Sequence, residues 1–290
     1  MSPLLFLEQS LNGLQLGVML FMMAAGMTLM LGIMNLVNLA YGSLYMLGAY
    51  FAVTAQVWTG SFVVATGAAL LGTAVAGVAM ERGLFRFLYN RSYLDQVLCT
   101  IGLNMFLNEL VRIVWGPRPL NLALPSALSG TVELLPGLHY SVLRLTILAV
   151  GVLIATGLYL LITRTRAGIQ IRAGASNRSM AGAMGINIQL LFMIVFALAA
   201  SLAGLAGVLA GPLLSVGINM GDSILVLTLV VLVIGGIGSM RGAFVAAVLV
   251  GCIDTWSRML LPTGLGDVGI YLLMAAVLYL KPRGLFPAVT

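Results

Sequence analysis

The residues most able to do chemistry form a polar stretch near the N-terminus, inside an otherwise apolar run. They are Asn35, Asn38, Tyr41, Ser43 and Tyr45. In hydrocarbon, Asn and Ser side chains need hydrogen-bond partners within the protein, so we expect this stretch to face the interior of a helix bundle. Two interpretations stay open: bonds that hold helices together, or the lining of a path for a zwitterionic solute with an apolar side chain.

A second polar stretch, residues 164–187, contains four arginines and no acidic residue. Ser176 or Asn177 can cap the N-terminus of a helix. Gly185 can end that helix, with Ile186 available for a hydrophobic contact. The pattern predicts a short helix of about two turns that lies outside the membrane between two spans.

The predicted helix presents Met180, Ala181, Met184 and the arginines on its exposed face. A small, basic and partly apolar helix is suited to docking into a groove on a soluble partner. The same pattern also fits an amphipathic helix that lies on anionic lipid.

The sequence lacks the side chains for several kinds of chemistry. A P-loop requires a lysine after its glycines, whereas the only lysine is Lys281, followed by Pro282. The single histidine, His139, excludes an H-E-x-x-H motif and most zinc sites. We therefore expect no catalytic residue, no metal site and no cofactor bound by this chain.

Carboxylates inside the apolar segments are few. Glu109 and Arg112 are three residues apart, and Asp254 and Arg258 are four apart, so each predicts a local ion pair on a helix. Asp222 falls at the start of a segment, where it can cap a helix. This pattern does not favour an ion-coupled carrier, which stays open as the alternative from a different class.

Composition predicts the elements that position these residues. Of the 290 residues, 61% are hydrophobic and 8% are charged, against about a quarter charged in soluble domains. No charged residue occurs in 9–80, a run of 72 residues, which suffices for about three crossings of a ~30 Å hydrocarbon core. This excludes a soluble enzyme, a nucleic-acid-binding module and a disordered scaffold, and it indicates membrane helices rather than a barrel.

We predict an all-α polytopic membrane protein in which residues 1–290 form a single transmembrane domain. Its nine candidate membrane segments are 10–31, 34–57, 61–80, 95–115, 142–163, 188–210, 222–238, 243–260 and 267–281. Eight full spans is the alternative, with 34–57 broken or partly re-entrant.

Basic residues predict the orientation of the segments. Ten of the 14 Lys and Arg residues follow the third, fifth and seventh segments or lie in the C-terminal tail. Because basic residues collect on cytoplasmic loops, we expect a cytoplasmic C-terminus and an external N-terminus. The external loop 116–141 contains four prolines and is predicted to be extended and irregular. It either packs over the bundle or carries function.

Small residues predict close packing of the helices. The pairs Gly13/Gly17 and Gly207/Gly211 are each one helical turn apart, which lets helix backbones approach closely. A further glycine group indicates a tight reversal between two segments, with a mobile gate as the alternative. It consists of Gly235, Gly236, Gly238 and Gly242.

Four stretches occur in an order that is typical of one transporter family. Residues 165–187 match T-R-x-G-x-x-x-R-A, then a polar turn, then A-x-x-x-G-I-N. Residues 38–50 are similar to N-(F/L)-A-H-G-x-x-Y-M-L-G-A-Y. Residues 235–243 are similar to G-G-x-G-S-x-x-G-A, and residues 281–286 to (R/K)-P-x-G-L-F. Together these stretches resemble the LivH-type permeases of branched-chain amino acid ABC importers.

The resemblance implies a permease subunit of the bacterial inner membrane that forms half of a translocation pathway. The implied partners are a second homologous permease, two cytoplasmic ABC ATPases that bind ATP and Mg²⁺, an external solute-binding protein and membrane lipid, but no nucleic acid. It also implies that the loop 164–187 carries a coupling helix that contacts the ATPases. The contact residues would be Arg172, Ala173, Asn177, Arg178, Met180, Ala181, Met184 and Gly185.

The sequence departs from the family pattern within the polar stretch. The family commonly has His where this chain has Tyr41, and often an acidic residue near Ser43. If the stretch lines the pathway, the solute can differ from Leu, Ile and Val. Urea and short amides are the competing solutes, since relatives of this family carry them.

Overall fold

The computed structural model describes residues 3–89, 91–262 and 265–286, and within these it consists of α-helices with a small hairpin. The helices are α1 Pro3–Met34, α2 Tyr41–Thr59, α3 Phe62–Met80, α4 Arg86–Leu88, α5 Tyr93–Trp115, α6 Val142–Arg164, α7 Arg166–Ser176, α8 Arg178–Ala183, α9 Ile188–Leu214, α10 Met220–Gly235, α11 Met240–Leu260 and α12 Val268–Leu280. A π-helical turn, Glu81–Phe85, joins α3 to α4. Strands β1 Thr131–Leu135 and β2 Leu138–Ser141 pair antiparallel.

Each of the nine predicted membrane segments coincides largely with one helix. In the described part of the chain, six helices are long and apolar enough to cross a membrane, and α10 and α12 are shorter apolar helices. In the predicted segment 34–57 the helix begins only at Tyr41, so the break considered there is present. The chain is a multi-pass, all-α membrane protein.

Side-chain caps set several helix starts. Ser92 and Asp95 form a capping box at α5, in which each side chain accepts from the backbone N–H of the other at 3.3 Å. The Asn187 side chain accepts from Leu190 N at 3.0 Å at the start of α9. These polar caps satisfy backbone N–H groups that have no partner within the helix.

The chain divides into two compact units. The first contains the described residues of Met1–Ala24, Leu124–Thr156 and Leu227–Val289. The second contains Ala25–Ala123 and Gly157–Val226. The polar stretch and the arginine-rich loop both belong to the second unit.

In the first unit, α1 packs on α11 through glycines. A methyl group added to Gly13 would lie 2.8 Å from Cys252 Cα, and one added to Gly17 would lie 2.8 Å from the Ala247 carbonyl oxygen. The two backbones therefore touch at one-turn spacing, as the Gly13/Gly17 pair predicts.

In the second unit, α2, α3 and α9 pack against one another. A methyl group on Gly48 would lie 2.3 Å from Gly204 Cα, and one on Gly207 would lie 2.0 Å from the Tyr45 carbonyl oxygen. Gly211 packs near the Leu122 side chain, where an added methyl would lie at 3.2 Å. The close approach predicted for Gly207 is confirmed. Through these glycine contacts α2 packs directly on the backbone of α9.

Two loop predictions need correction. The loop 164–187 contains two helices rather than one, because the Thr165 hydroxyl accepts from Gly168 N at 3.1 Å and starts α7. The external loop is not irregular throughout, since β1 and β2 form a hairpin in 131–141. Gly137, at φ 87°, makes the hairpin turn, and the Glu133 carboxylate accepts from its N–H at 3.0 Å.

Candidate functional site

The polar stretch is a non-helical break between α1 and α2. α1 ends at Met34, and Asn35 then adopts φ 47°, the left-handed conformation in which Asn often ends a helix. Asn35, one of the predicted pathway residues, thus follows the end of α1 directly, and its side chain is exposed. Leu36, Asn38 and Ala40, farther along the break, are buried.

Asn38 is the buried polar residue within this break. Its Oδ1 accepts from Ala40 N at 3.0 Å, which turns the backbone toward α2. Its Nδ2 is buried and has no partner within the described residues. An unpaired buried donor lowers the stability of the fold by about 1–3 kcal/mol. Asn38 thus has a hydrogen-bond donor available just before the start of α2.

Tyr41 anchors the start of α2 deep inside the second unit. Its hydroxyl is fully buried and donates to the Ala199 carbonyl oxygen at 2.8 Å. Ala199 lies eleven residues into α9, which corresponds to ~17 Å along that helix. Residues 35–40 thus run from the end of α1 back to the middle of α9 before α2 begins, and we call them the re-entrant break.

A polar relay connects three helices at this point. Ser43 Oγ donates to Asn104 Oδ1, and Asn104 Nδ2 donates to Asp222 Oδ1 at 3.1 Å. Ser43 is buried on α2, whereas Asn104 on α5 and Asp222 on α10 are partly buried. We call these three residues the polar cluster. Asp222 was predicted as a helix cap, and it instead accepts from another helix.

The first turns of α2 and α10 meet beside the polar cluster. A methyl group on Gly42 would lie 2.5 Å from the Gly221 carbonyl oxygen, and one on Gly221 would lie 2.0 Å from the Gly42 carbonyl oxygen. Helix N-termini carry unpaired N–H groups and a partial positive charge. The site therefore combines the positive ends of two helix dipoles with the carboxylate of Asp222.

The structure thus brings together part of the predicted pathway set. Asn38, Tyr41, Ser43 and Tyr45 are all buried, and Tyr45 packs its backbone on Gly207. Sequence reasoning missed Asn104, although an amide inside an apolar segment was a usable signal.

The second functional feature is α8, the helix expected to couple to a partner. Asn177 is its N-cap, with the side chain accepting from Met180 N at 3.0 Å. At the other end Gly185 has φ 87°, Gly185 N donates to Gly182 O at 3.0 Å, and Ile186 N donates to Ala181 O at 3.1 Å. This is a Schellman motif, and it confirms the predicted termination at Gly185.

The exposed face of α8 differs in part from the predicted one. Met180 and Met184 are 66% and 79% exposed, and Arg172 on α7 is exposed. Ala181, at 5%, is buried, so its prediction as an exposed residue is wrong. α8 also contacts α9, so part of this short helix packs on the protein.

Arg178, which was predicted on the exposed face of the helix, packs inward and is half-buried. Its Nε donates to the Ile33 carbonyl oxygen at 2.9 Å, and its guanidinium lies 5.3 Å from the centre of the Phe192 ring. Burial lowers the pKa of the guanidinium from its ordinary value. Tyr89 packs edge-on against Phe192 at 4.9 Å and donates to Glu81 Oε1 at 3.1 Å.

A cleft of about 430 Å³ opens beside this aromatic group. It lies between the π-helical turn and the start of α9, two places that sequence reasoning assigned to the same side of the membrane. The cleft is lined by Glu81, Arg82, Arg86, Asn187, Gln189, Leu190 and Met193.

The glycine turn and the C-terminal tail, both in the first unit, form one structure. Gly236 and Gly238 have φ of 97° and 81°. Leu285 N donates to Ile234 O at 2.8 Å, and Phe286 N donates to Gly235 O at 3.1 Å. The tail therefore closes the turn, an arrangement that favours the predicted tight reversal over a gate.

A transport permease is the class of protein that these features fit. They are the membrane helices, the re-entrant break beside the polar cluster, and the capped helix between two spans. The family described as "Branched-chain amino acid transport system / permease component" matches residues 9–278. The chain belongs to this family.

Two bacterial relatives are similar over nearly their whole length, and an archaeal one over about half of it. The chain is 31% identical over 297 aligned positions to the high-affinity branched-chain amino acid transport system permease protein LivH of Escherichia coli K12, covering 97% of this chain and 96% of the relative. It is 30% identical over 295 positions to the permease protein BraD of Pseudomonas aeruginosa, covering 97% and 95%. A probable LivH of Methanocaldococcus jannaschii is 29% identical over 143 positions, 47% of this chain and 45% of that protein.

Proposed function

We propose that this chain is the permease subunit of an ATP-driven importer for branched-chain amino acids. It would form half of the pathway with a second homologous permease, receive the solute from an external binding protein and be driven by two cytoplasmic ATPases. ATP and Mg²⁺ would bind only to those ATPases. The family membership and the names of the relatives support the solute class.

One observation carries the coupling to an external motor: α8 presents Met180 and Met184 to solvent from a loop rich in arginine. Methionine is a flexible, polarisable side chain that suits a docking surface. Asn177 and Gly185 close both ends of α8, so a partner that grips the two methionines can move it as one body. The neighbouring cleft adds Arg82 and Arg86 to the same docking region.

The polar cluster is the proposed contact for the solute. A zwitterionic amino acid needs an acceptor for its ammonium group and donors for its carboxylate. Asp222 would supply the acceptor and Asn38 Nδ2 a donor, while the positive N-terminal ends of α2 and α10 would favour the carboxylate of the solute. Urea has no ammonium group and needs no anionic acceptor. A requirement for Asp222 would therefore distinguish amino acids from urea and short amides as the solute.

The complete importer, reconstituted in proteoliposomes, tests the solute assignment. We expect ATP-dependent leucine uptake that Asp222→Asn lowers about tenfold, as the loss of one charge-assisted contact would. The matched control is Glu109→Gln, which removes an exposed carboxylate paired with Arg112 at 3.2 Å. Leucine uptake that persists unchanged in Asp222→Asn, or competition by urea but not by isoleucine, would contradict the assignment.

The same preparation tests the energy source. We expect no uptake by the purified chain alone, even with a proton or sodium gradient. ATPase-independent uptake would instead identify an ion-coupled carrier. The bacterial inner membrane, with a cytoplasmic C-terminus and an external N-terminus, is the expected location. Sided labelling of cysteines introduced at Arg86 and Met184 should modify both from the cytoplasmic face.

A further inference from the structure

Arg178 joins α8 to the end of α1, 145 residues earlier in the chain. Its Nε donates at 2.9 Å to the carbonyl oxygen of Ile33, in the last turn of α1. Carbonyl groups in a last turn have no partner within the helix, and a cation there is favoured by the helix dipole. The bond therefore satisfies a backbone acceptor that α1 cannot satisfy itself.

Three elements enclose the guanidinium. Phe192 of α9 lies under it at 5.3 Å, and Tyr89, beyond α4, holds the ring of Phe192 edge-on at 4.9 Å. Tyr89 is fixed in turn by its bond to the buried Glu81 carboxylate at 3.1 Å. Arg178 is thus half-buried near the end of α1, Phe192 and Tyr89, and it does not share the exposed face of Met180 and Met184.

The chain that follows Ile33 leads directly to the polar cluster. Met34 ends α1, Asn35 reverses the backbone at φ 47°, and residues 36–40, of which Leu36, Asn38 and Ala40 are buried, lead to the start of α2. The Ile33 carbonyl is therefore ten residues from Ser43. Tyr41 holds the C-terminal end of the re-entrant break to Ala199. A displacement of the Ile33 carbonyl therefore moves the N-terminal end of the break, at Asn35.

The two contacts of Arg178 respond differently to motion. A hydrogen bond fixes distance and direction, whereas a cation over a ring face tolerates sliding. When α8 moves, the bond to Ile33 pulls the end of α1, and the contact with Phe192 lets α9 stay in place. Arg178 is the first residue of α8, whose capped ends keep it rigid with Met180 and Met184.

We propose that Arg178 is the internal positioning residue that transmits movement of α8 to the re-entrant break 35–40, and not a contact of the ATPase. This inference rests on the proposed function, because it requires α8 to be moved by a partner. It assigns two roles to one short helix: Met180 and Met184 bind the motor, and Arg178 passes the movement inward.

The test uses the complete importer in proteoliposomes and separates ATP hydrolysis from uptake. Arg178→Gln keeps an N–H donor but loses the charge and the planar guanidinium, and Arg178→Ala loses all of these. In both variants we expect the ATPases to stay bound and ATP hydrolysis to continue. Uptake per ATP should fall about tenfold, within the range for a residue that couples two sites. Arg166→Ala, at an exposed arginine of the same loop that is not among the predicted contact residues, is the matched control and should keep a larger share of the uptake per ATP.

A second measurement follows the re-entrant break itself. Hydrogen exchange of residues 35–40 should change between nucleotide-free importer and importer trapped with ATP and vanadate, and the change should disappear in Arg178→Gln. A preserved change, or normal uptake per ATP, overturns the proposal. Loss of the ATPases from Arg178→Gln also overturns it, because Arg178 would then be a docking residue.

Met184→Asp separates this proposal from the proposed function. A charge on the exposed methionine face should release the ATPases while the permease stays in the membrane. If Met184→Asp keeps both the ATPases and full uptake, the docking surface on α8 is wrong. If Met184→Asp releases the ATPases but Arg178→Ala transports normally, the docking surface stands and the internal link is wrong.

Discussion

Two breaks interrupt the membrane helices, and they are built in different ways. The break at 236–239 uses glycines with positive φ, and the C-terminal tail donates two backbone hydrogen bonds to the end of α10. The break at 35–40 has a non-glycine, Asn35, at φ 47° and leaves Asn38 Nδ2 buried without a partner in the described chain. Backbone hydrogen bonds close the first break, while the second retains a buried side-chain donor, Asn38 Nδ2, that has no partner in the described chain.

This difference favours a structural role for the first break and supports the proposed functional role of the second. Glycine adopts positive φ without steric cost, and the tail satisfies backbone acceptors, so the first break is stable without any solute or partner. The second break retains an unpaired donor that costs about 1–3 kcal/mol. Strain and unsatisfied groups that persist in a fold are associated with function, which supports the proposed solute contact at 35–40.

The largest expected effect is the loss of the folded protein when the glycine turn is filled. In Gly242→Val, the Cβ would lie 2.0 Å from the Gly235 carbonyl oxygen, a backbone atom that cannot move aside. We expect destabilisation of about 3 kcal/mol or more and little monodisperse protein in detergent chromatography. Gly67→Ala, where no atom lies within 4 Å of the added methyl, is the control. Normal yield with altered transport would make this turn a gate.

The next effect separates stability from transport at Asn38. Asn38→Leu is close in volume and removes the unpaired Nδ2, but it also removes the bond from Ala40 N. These two changes oppose each other, so we expect the melting temperature to change by only a few degrees, about 1 kcal/mol. Uptake should fall about tenfold because a solute donor is lost.

Asn38→Asp sharpens that experiment, since it keeps the acceptor for Ala40 N and replaces the donor. It should retain the fold and lose leucine uptake, because a second carboxylate would repel the carboxylate of the solute. If both variants unfold, Asn38 holds helices together and the break is structural. If both transport normally, Asn38 does not touch the solute.

Most of the fold could be predicted from the sequence because hydrocarbon imposes long apolar helices. The segments, the termination of α8 at Gly185 and the Gly13 packing all depend on local patterns. The hairpin in 131–141 was missed because prolines nearby dominated the prediction. α7 was missed because a capping threonine in an arginine-rich loop gives a weak signal.

The candidate site was less predictable because its contacts are distant in sequence. Ser43 and Asn104 are 61 residues apart, and Asn104 and Asp222 are 118 apart. Arg178 was assigned to the docking surface because an arginine in a polar loop is usually exposed, whereas here Ile33 supplies a carbonyl acceptor. Ala181 was assigned to the exposed face because six helical residues are too few to define which side packs.

The smallest expected effect concerns Tyr41, where the chain departs from the family's usual histidine. Tyr41→Phe removes the hydroxyl bond to the Ala199 carbonyl oxygen, measured at 2.8 Å, and keeps the fully buried ring. We expect a loss of about 1 kcal/mol of stability and uptake within about twofold of the unmodified chain, since the hydroxyl is already engaged by α9 and cannot also bind solute. The measurement is leucine uptake together with the melting temperature in detergent. If the melting temperature is unchanged but uptake is lost, the Tyr41 hydroxyl contacts the solute rather than stabilising the packing of α2. The solute contact of the re-entrant break would then include Tyr41 as well as Asn38.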